Sequence, residues 1–315
     1  MNTRNKYLSK IELGFVHAVH EEQSEYGLHP KEAFPQYDEI ESPDELRKIE
    51  RVAADLQSIN WSFTSDKTGF LTHDLHPYPA KFIPQIPGHC IARLSFRGEL
   101  VLDPFGGSGT TALEAVRMGR RAISIDANAV GTLIGKVKTC NIDRSVATDL
   151  HSIRSAVTTR LADIPDPEQL CKENEQHIPA IPNIDKWFSL TSRGELAFIR
   201  SRIASMESDK ARDMALLSLS KIILSVSFQD SETRYSSKPR KIPQGETLHR
   251  FLVAIDNILR NVAKTQPILR YGACDFITAD TRQIDNGVCK PDSVDLIVTS
   301  PPYGNAMDYH LYHRF

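Results

Sequence analysis

The stretch Leu100-Val101-Leu102-Asp103-Pro104-Phe105-Gly106-Gly107-Ser108-Gly109-Thr110-Thr111 decides the fold of this chain. Its apolar start predicts a short strand over Glu99–Leu102, and the glycines predict a sharp turn, because glycine adopts backbone angles that other residues avoid. A helix is predicted from about Thr110 to Met118, with Gly119 as its C-cap. This order of strand, glycine turn and helix is typical of a site where a ligand lies against bare backbone N–H groups.

A second strand is predicted directly after this helix, over Arg121–Asp126. The two strands and the helix between them form a β-α-β unit, which indicates a parallel α/β sheet. Asp126 ends the second strand, about 20 residues after the turn, where doubly wound folds place a carboxylate that binds two ribose hydroxyls. A solvated acid at a strand end is the alternative.

A second decisive stretch, Asp295-Leu296-Ile297-Val298-Thr299-Ser300-Pro301-Pro302-Tyr303, stands near the last residue, Phe315. It predicts a buried strand, within Val294–Thr299, that ends in a polar, proline-rich and aromatic tip. The two prolines stiffen this tip, because each fixes its own backbone φ angle.

Composition and charge limit the classes of function that the chain can have. The formal net charge of -2 gives no general basic signal, so nucleic-acid binding would depend on a local patch. No apolar run approaches the roughly 20 residues that span a bilayer, and no signal-peptide core follows the N-terminus. The 5 cysteines are scattered without a C-x-x-C pair, which favours a reducing compartment over a disulfide framework or zinc site. We therefore predict a cytoplasmic protein with no membrane contact.

The segment from Asp103 to Thr111 resembles the D-P-F-x-G-S-G-T-T loop of the amino-group DNA methyltransferases. Thr299–Tyr303 resembles the catalytic loop of the same enzymes, in the form usual for methylation of the N4 amino group of cytosine. The resemblance implies a Rossmann-like class I methyltransferase sheet, here with a helical insertion and with S-adenosylmethionine as the cofactor. The implied cofactor-binding residues in the first loop and its strand neighbours are Asp103, Phe105, Gly106, Gly107, Ser108, Gly109, Thr110, Asp126 and Asp280.

Within that set, the resemblance assigns two particular roles. Asp103 would receive the ammonium of the cofactor, and Asp280 would accept a hydrogen bond from its adenine amino group. Asp280 follows a third candidate strand over residues 275–280, and Asp275 is a nearby rival for the same role.

The resemblance also implies a catalytic set. Ser300 and the Pro301 carbonyl would accept hydrogen bonds from the two protons of an exocyclic amino group, whose lone pair is otherwise delocalised into the ring. Pro302 would hold the loop rigid, and Tyr303 would stack on a base flipped out of double-stranded DNA. The methyl group would pass directly to the nitrogen, with positioning as the main catalytic effect.

A proline-rich loop over residues 71–88 resembles the segment that closes over the cofactor in this family. Tyr78, Lys81 and Phe82 are the candidate contacts, with a purely structural loop as the alternative. His73 and His76 lie in the same loop, but no third ligand stands at a compatible spacing, so we predict no metal site.

Four segments are predicted along the chain. Residues 1–65 form an N-terminal helical segment, with one helix over 43–56, and residues 66–130 form the cofactor-binding half of the core. Residues 131–265 form a helical insertion, a candidate target-recognition region, with helices over Glu195–Met206, Lys210–Phe228 and about 247–261, and a polar break over 229–245. Residues 266–315 form the half that carries the catalytic loop, in which the last strands of the core are missing.

The polar break contains a cluster of cations with a tyrosine, which predicts contact with nucleic acid because such clusters neutralise phosphates while the aromatic ring stacks. A solvated loop is the competing interpretation. The predicted contacts are Arg234, Tyr235, Lys238, Arg240 and Lys241.

These observations lead to one hypothesis and two alternatives. The hypothesis is S-adenosylmethionine-dependent, site-specific methylation of cytosine N4 in DNA, of the restriction-modification type. The first alternative is an adenine-N6 or RNA guanine-N2 methyltransferase. The second is a truncated or inactive subunit that only binds. For the missing strands we expect one of two sources: the chain is a fragment of a longer enzyme, or a complementary polypeptide supplies them.

Overall fold

The computed structural model describes residues 43–231, 234–269, 272–283 and 287–302 of the 315-residue chain. Four strands form one parallel sheet, two form an antiparallel hairpin, and the helices pack around them. The strands are β1 Leu100–Asp103, β2 Arg121–Asp126, β3 Gln229–Ser231, β4 Arg234–Ser237, β5 Ala273–Thr278 and β6 Leu296–Ile297. The helices are α1 Pro43–Gln57, α2 Gln85–Leu94, α3 Thr110–Arg117, α4 Ala129–Thr139, α5 Arg144–Ala162, α6 Pro167–Glu173, α7 Ile184–Trp187, α8 Leu190–Ala204, α9 Asp209–Ile223 and α10 Glu246–Leu269.

The parallel sheet has the strand order β5-β2-β1-β6. The chain moves outward from β1 through β2 to β5, and then returns to place β6 on the other side of β1. In open α/β sheets, ligands bind outside the carboxyl ends of the strands at the point where this direction reverses. The reversal between β1 and β6 therefore locates the expected site, and the Rossmann-like α/β fold class is confirmed.

The β-α-β unit around the glycine turn forms as predicted, with small shifts at its ends. β1 starts and ends one residue later than expected, α3 ends at Arg117, and Gly119 adopts the left-handed φ of 77° that suits a C-cap. Side chains of α3 pack on one face of the sheet, and Leu113 and Val101 are both fully buried there.

Other predicted boundaries need correction. The proline-rich loop ends at Pro84 instead of Gly88, because α2 already starts at Gln85. Helix α10 is longer than predicted and contains Pro267, whose missing N–H would favour a break in an isolated helix. β6 spans two residues only, within the predicted range of Val294–Thr299.

The region between α4 and β5 is mainly helical, and it buries a large apolar cluster that includes Leu150, Leu217 and Phe251. The polar break within it is not a simple loop, because it holds the hairpin of β3 and β4. The same cluster contains Ile134 from α4, the helix that also packs against β2 and β5. The division predicted near residue 131 therefore falls inside a helix that serves both regions. Although α10 has 24 residues, neither it nor any other helix in the described ranges is apolar and long enough to cross a membrane.

Candidate active site

A cavity of about 290 Å³ opens at the carboxyl ends of β1 and β6, where the fold predicts a ligand. Residues from both decisive stretches line it, together with the loop that precedes α2. The lining consists of Tyr78, Pro79, Ala80, Lys81, Phe82, Asp103, Phe105, Gly106, Gly107, Ser108, Thr110, Asp126, Ala127, Asn128, Ser300 and Pro302. Two stretches that are almost 200 positions apart in the sequence therefore meet at one site.

Backbone pairing between β1 and β6 brings these stretches together. The N–H groups of Asp295 and Val298 donate to the carbonyls of Leu100 and Leu102, at 3.0 and 3.1 Å. The carboxylate of Asp295 also accepts from the Leu100 N–H at 2.9 Å. Ser300 follows directly, so its place beside the glycine turn is fixed by the register of the strands.

The glycine turn is held by its own backbone and by the strand beside it. The Gly106 N–H donates to the Ile125 carbonyl at 2.8 Å, and the Gly109 N–H donates to the Gly106 carbonyl at the same distance. Gly107 and Gly109 have φ angles of 50° and 74°, in the left-handed region that favours glycine. A Cβ at Gly131, in the first turn of α4, would lie 2.6 Å from the Gly107 carbonyl oxygen. The helix and the turn therefore touch backbone to backbone.

Asp103 is the most buried acid of the cavity, with 3% of its surface exposed. Its carboxylate accepts a hydrogen bond from the Phe105 N–H at 3.1 Å. Burial raises the pKa of this carboxyl, and the neighbouring hydroxyls of Thr299 and Thr111 act against that rise. A buried carboxylate of this kind is suited to receive a cationic group of a ligand.

Asp126 also lines the cavity and holds the glycine turn. One carboxylate oxygen accepts from the Gly107 N–H at 2.7 Å and the other from the Asn128 N–H at 2.8 Å. A carboxylate offers about four acceptor sites, so two remain for ligand hydroxyls. Asp126 ends β2 and lines the cavity, and its role toward ribose hydroxyls stays a prediction.

Asp280 is placed differently from the other predicted cofactor contacts. It follows β5 at the outer edge of the sheet and is not among the residues that line the cavity. The Arg282 guanidinium donates to both of its oxygens, at 3.0 and 2.6 Å, and lowers the pKa of Asp280 to about 2. Its role toward adenine stays a prediction. Asp275, its rival, has an exposed side chain within β5.

Tyr78 and Lys81 both line the cavity from the proline-rich loop. The ring of Tyr78 covers Gly107, where an added Cβ would come within 3.3 Å of it. The Lys81 ammonium donates to Asp74 at 3.1 Å and to the His73 carbonyl at 3.4 Å. The loop therefore forms one side of the cavity, and its role toward the cofactor stays a prediction.

The predicted catalytic set is described in part. Ser300 and Pro302 line the cavity, and Pro301 is exposed between them. Tyr303 lies outside the described residues.

The predicted nucleic-acid contacts fall on the hairpin and the segment after it. Lys238 and Lys241 are exposed, as a phosphate contact requires. The Arg240 guanidinium donates to the carbonyls of Ser227 and Leu224 at 2.8 and 2.6 Å, so it also holds the chain that leads into the hairpin. The side chains of Arg234 and Tyr235 lie outside the described part of the molecule.

Two buried polar groups behind the cavity were not expected from the sequence. His73 is 2% exposed and its Nε2 pairs with Glu114 at 3.0 Å, whereas His76 contacts Ser220, so the two histidines do not converge on one point. Burial lowers the pKa of His73. The second group is Lys138, 1% exposed, whose ammonium donates to the Ser108 hydroxyl at 3.2 Å. Its neighbour Lys136 is exposed, and a sequence of alternating lysines gave no sign that one of them points inward.

The fold and the cavity together define a Rossmann-like core with an acidic, glycine-lined ligand site and a rigid Ser-Pro-Pro loop at its mouth. Comparison with known proteins agrees with this class. A family model described as DNA methylase matches residues 4–130. No solved structure shows significant similarity to the chain.

Three curated relatives are each named as a type II methyltransferase. The chain is 24% identical to Type II methyltransferase M.MjaII of Methanocaldococcus jannaschii, over 77% of this chain and 61% of the relative. It is 26% identical to Type II methyltransferase M.MvaI of Kocuria varians, over 80% of this chain and 58% of the relative. A shorter match of 42% identity to Type II methyltransferase M2.DpnII of Streptococcus pneumoniae covers 19% of this chain and 24% of the relative. The chain thus spans about three fifths of the first two relatives.

Proposed function

We propose that the chain is the catalytic part of an S-adenosylmethionine-dependent DNA methyltransferase that methylates the N4 amino group of cytosine. One observation carries this proposal: the glycine turn after β1 and the Ser-Pro-Pro loop after β6 line the same cavity at the reversal point of the sheet. The similarity to type II DNA methyltransferases supports the reaction class.

The chemistry of the cavity fits the proposed cofactor. Asp103 offers a buried carboxylate for an ammonium, and Asp126 keeps acceptor sites for ribose hydroxyls. The hydroxyls of Thr111 and Thr299 lie beside Asp103 and favour its charged form, which is the form that binds an ammonium. When bound, the cofactor supplies an electrophilic methyl group on a sulfonium.

The residues of this chain would then orient the amino group that receives the methyl. Ser300 and the Pro301 carbonyl accept hydrogen bonds from its two protons, which draws the nitrogen toward tetrahedral geometry and frees its lone pair. The register between β1 and β6 keeps this loop rigid beside the cofactor turn. Positioning of this kind can account for a large part of the rate.

Double-stranded DNA with one base flipped is the proposed substrate, because the target amino group is out of reach inside the stack. The exposed Lys238 and Lys241, after the β3-β4 hairpin, are the proposed phosphate contacts. A basic segment beside a recognition region suits an enzyme of the restriction-modification type. Site specificity and the sequence that is read belong to the same proposal.

Methyl transfer from labelled S-adenosylmethionine to DNA and to RNA, followed by nucleoside analysis, tests the proposal. We expect label in N4-methylcytosine of DNA. Label in N6-methyladenine would overturn the assignment of cytosine, and label in N2-methylguanine of RNA would overturn DNA as the substrate. Binding of S-adenosylhomocysteine without any transfer would favour the alternative of a binding subunit.

Ser300→Ala provides the control within the site. We expect it to reduce transfer at least a hundredfold while the affinity for S-adenosylhomocysteine, measured by calorimetry, stays within a few fold. The reason is that Ser300 faces the amino group, whereas the cofactor contacts come from the turn after β1. Ser293→Ala, on an exposed turn before β6, is the matched variant and should keep full activity. Equal loss of transfer and of binding in Ser300→Ala would mean that the loop only supports the fold.

A further inference from the structure

Lys138 is a buried cation without a matching charge. It is 1% exposed, and within the described ranges its one hydrogen-bond partner is the Ser108 hydroxyl, at 3.2 Å. No carboxylate of those ranges lies within ion-pair distance of its ammonium. A buried ammonium is costly unless it is paired, so this arrangement calls for a negative group close by.

The position of Ser108 indicates where that negative group would come from. Ser108 is itself 3% exposed and lines the cavity from the glycine turn. Because its oxygen accepts from Lys138, its own proton is free to point away from the lysine and toward a ligand acceptor. The hydroxyl thus connects a buried positive charge with the cavity.

Charged groups of both signs surround the cavity. Lys138 and Lys81 lie close enough to repel each other, and Lys81 pairs with Asp74 on its outer side. His73 and Glu114 form a separate buried pair behind Lys138. Asp103 and Asp126 supply negative charge to the same cavity. A ligand with both an ammonium and a carboxylate, as in an amino acid, matches this arrangement.

We propose that Lys138, acting through the Ser108 hydroxyl, positions the carboxylate of the methionine part of the cofactor. This inference rests on the proposed function and adds a residue that determines which ligands the site accepts. The ammonium of Lys138 does not line the cavity itself. Its role in binding is therefore to position Ser108. Thr72 holds the helix end in place, since its hydroxyl donates to the Lys138 carbonyl at 2.8 Å.

Calorimetric titration of the ligand-free chain with two ligands tests the inference. S-adenosylmethionine and decarboxylated S-adenosylmethionine differ in the carboxylate alone. We expect Lys138→Met to weaken binding of the first at least tenfold and to leave binding of the second within threefold of the wild type. Lys136→Met, an exposed lysine of the same helix, is the matched control and should change neither affinity.

Two further measurements separate this role from a structural one. Ser108→Ala should show the same selectivity for the carboxylate, and the double variant should lose no more than the stronger single variant, because both act through one contact. Thermal unfolding should show that Lys138→Met is at least as stable as the wild type. Equal losses for both ligands, or no loss for either, would overturn the inference. A wild-type chain that binds neither ligand would overturn the proposed function, and this inference with it.

Discussion

Single residues carry the electrostatic features of this site, and the clearest example is Lys138. Burial lowers the pKa of its ammonium from 10.5 to about 7, so the charged form is strained in the folded chain. His73 is a second case, because burial lowers its pKa although Glu114 favours the charged form. Neither residue was recognisable in the sequence, since a lysine near a helix end normally faces water and a histidine pair normally suggests a metal.

The lowered pKa of Lys138 predicts a pH-dependent stability. Between pH 7 and about 10 the unfolded chain binds a proton at this lysine that the folded chain does not, so the wild type gains stability as the pH rises. Lys138→Met removes this dependence. The difference in free energy of unfolding, Lys138→Met minus wild type, should be positive near pH 7 and shrink by several kcal/mol toward pH 10, at about 1.4 kcal/mol per pKa unit.

Urea unfolding at a series of pH values measures this difference. Lys136→Met serves as the control and should run parallel to the wild type at every pH. A constant difference between Lys138→Met and the wild type would show that Lys138 keeps an ordinary pKa in the fold.

Contacts between elements hold the fold together, and two of them depend on a single backbone or side-chain group. Gly131 of α4 meets the Gly107 carbonyl, and Glu195 of α8 holds the start of α10. The carboxylate of Glu195 is fully buried and accepts from the N–H groups of Gly245 and Thr247, at 2.6 and 3.0 Å. Each contact links elements that are distant in the sequence.

Gly131→Ala should disturb the glycine turn without unfolding the chain. Alanine would favour an isolated helix by about 1 kcal/mol, but here its Cβ would lie 2.6 Å from the Gly107 oxygen and force the turn to move. We expect at least a tenfold loss of affinity for S-adenosylhomocysteine by calorimetry. Gly194→Ala, a helical glycine far from the cavity lining, is the control. Unchanged affinity in Gly131→Ala would argue against close contact between α4 and the turn.

Glu195→Gln should weaken the attachment of α10. An amide can accept from one of the two N–H groups and presents a donor to the other, so one buried N–H loses its partner at a cost of about 1–3 kcal/mol. The free energy of unfolding from urea titration checks this value. Glu168→Gln, at an exposed position, should cost less than 0.5 kcal/mol by comparison. A similarly small effect at Glu195 would rule out its role as a helix cap.

At the scale of the whole molecule, the sheet and the helical region share one folding unit through α4. Ile134 and Val137 of α4 belong to the apolar cluster of the helical region, while the same helix packs on β2 and β5. The two regions should therefore unfold together, although the sequence predicted the helical region as an insertion.

Phe251→Ala tests this cooperativity. Phe251 is fully buried in the helical region, and its loss should cost about 3–5 kcal/mol. Two probes report the unfolding midpoint in urea: the fluorescence of the tryptophans, including buried Trp187, and the reaction of Cys274 in β5 with a thiol reagent. Both midpoints should shift to the same lower urea concentration. Val253→Ala, at a position 48% exposed on the same helix, should shift neither. Separate transitions for the two probes would show that the regions unfold independently.

The sequence predicted the parts of the fold whose local signals agree with their surroundings. β1, β2 and α3 are marked by apolar strands, glycines and a C-cap, so local and global preferences coincide. The hairpin of β3 and β4 was missed because its strands are polar and short, and the end of α10 was missed because Pro267 suggests a break. Asp280 lies away from the cavity lining because β5 is the outer strand of the sheet, and the strand order is not evident from local sequence signals.

The pairing of the two-residue strand β6 with β1 sets the distance between Ser300 and the glycine turn. A slip of one residue moves a strand by about 3.3 Å and turns its side chains to the opposite face. Such a slip would carry Ser300 out of reach of a ligand in the turn and would replace buried Leu296 with exposed Ile297. The two hydrogen bonds between Asp295 and Leu100 therefore fix the register of β6 against β1, and they do so without a bound substrate.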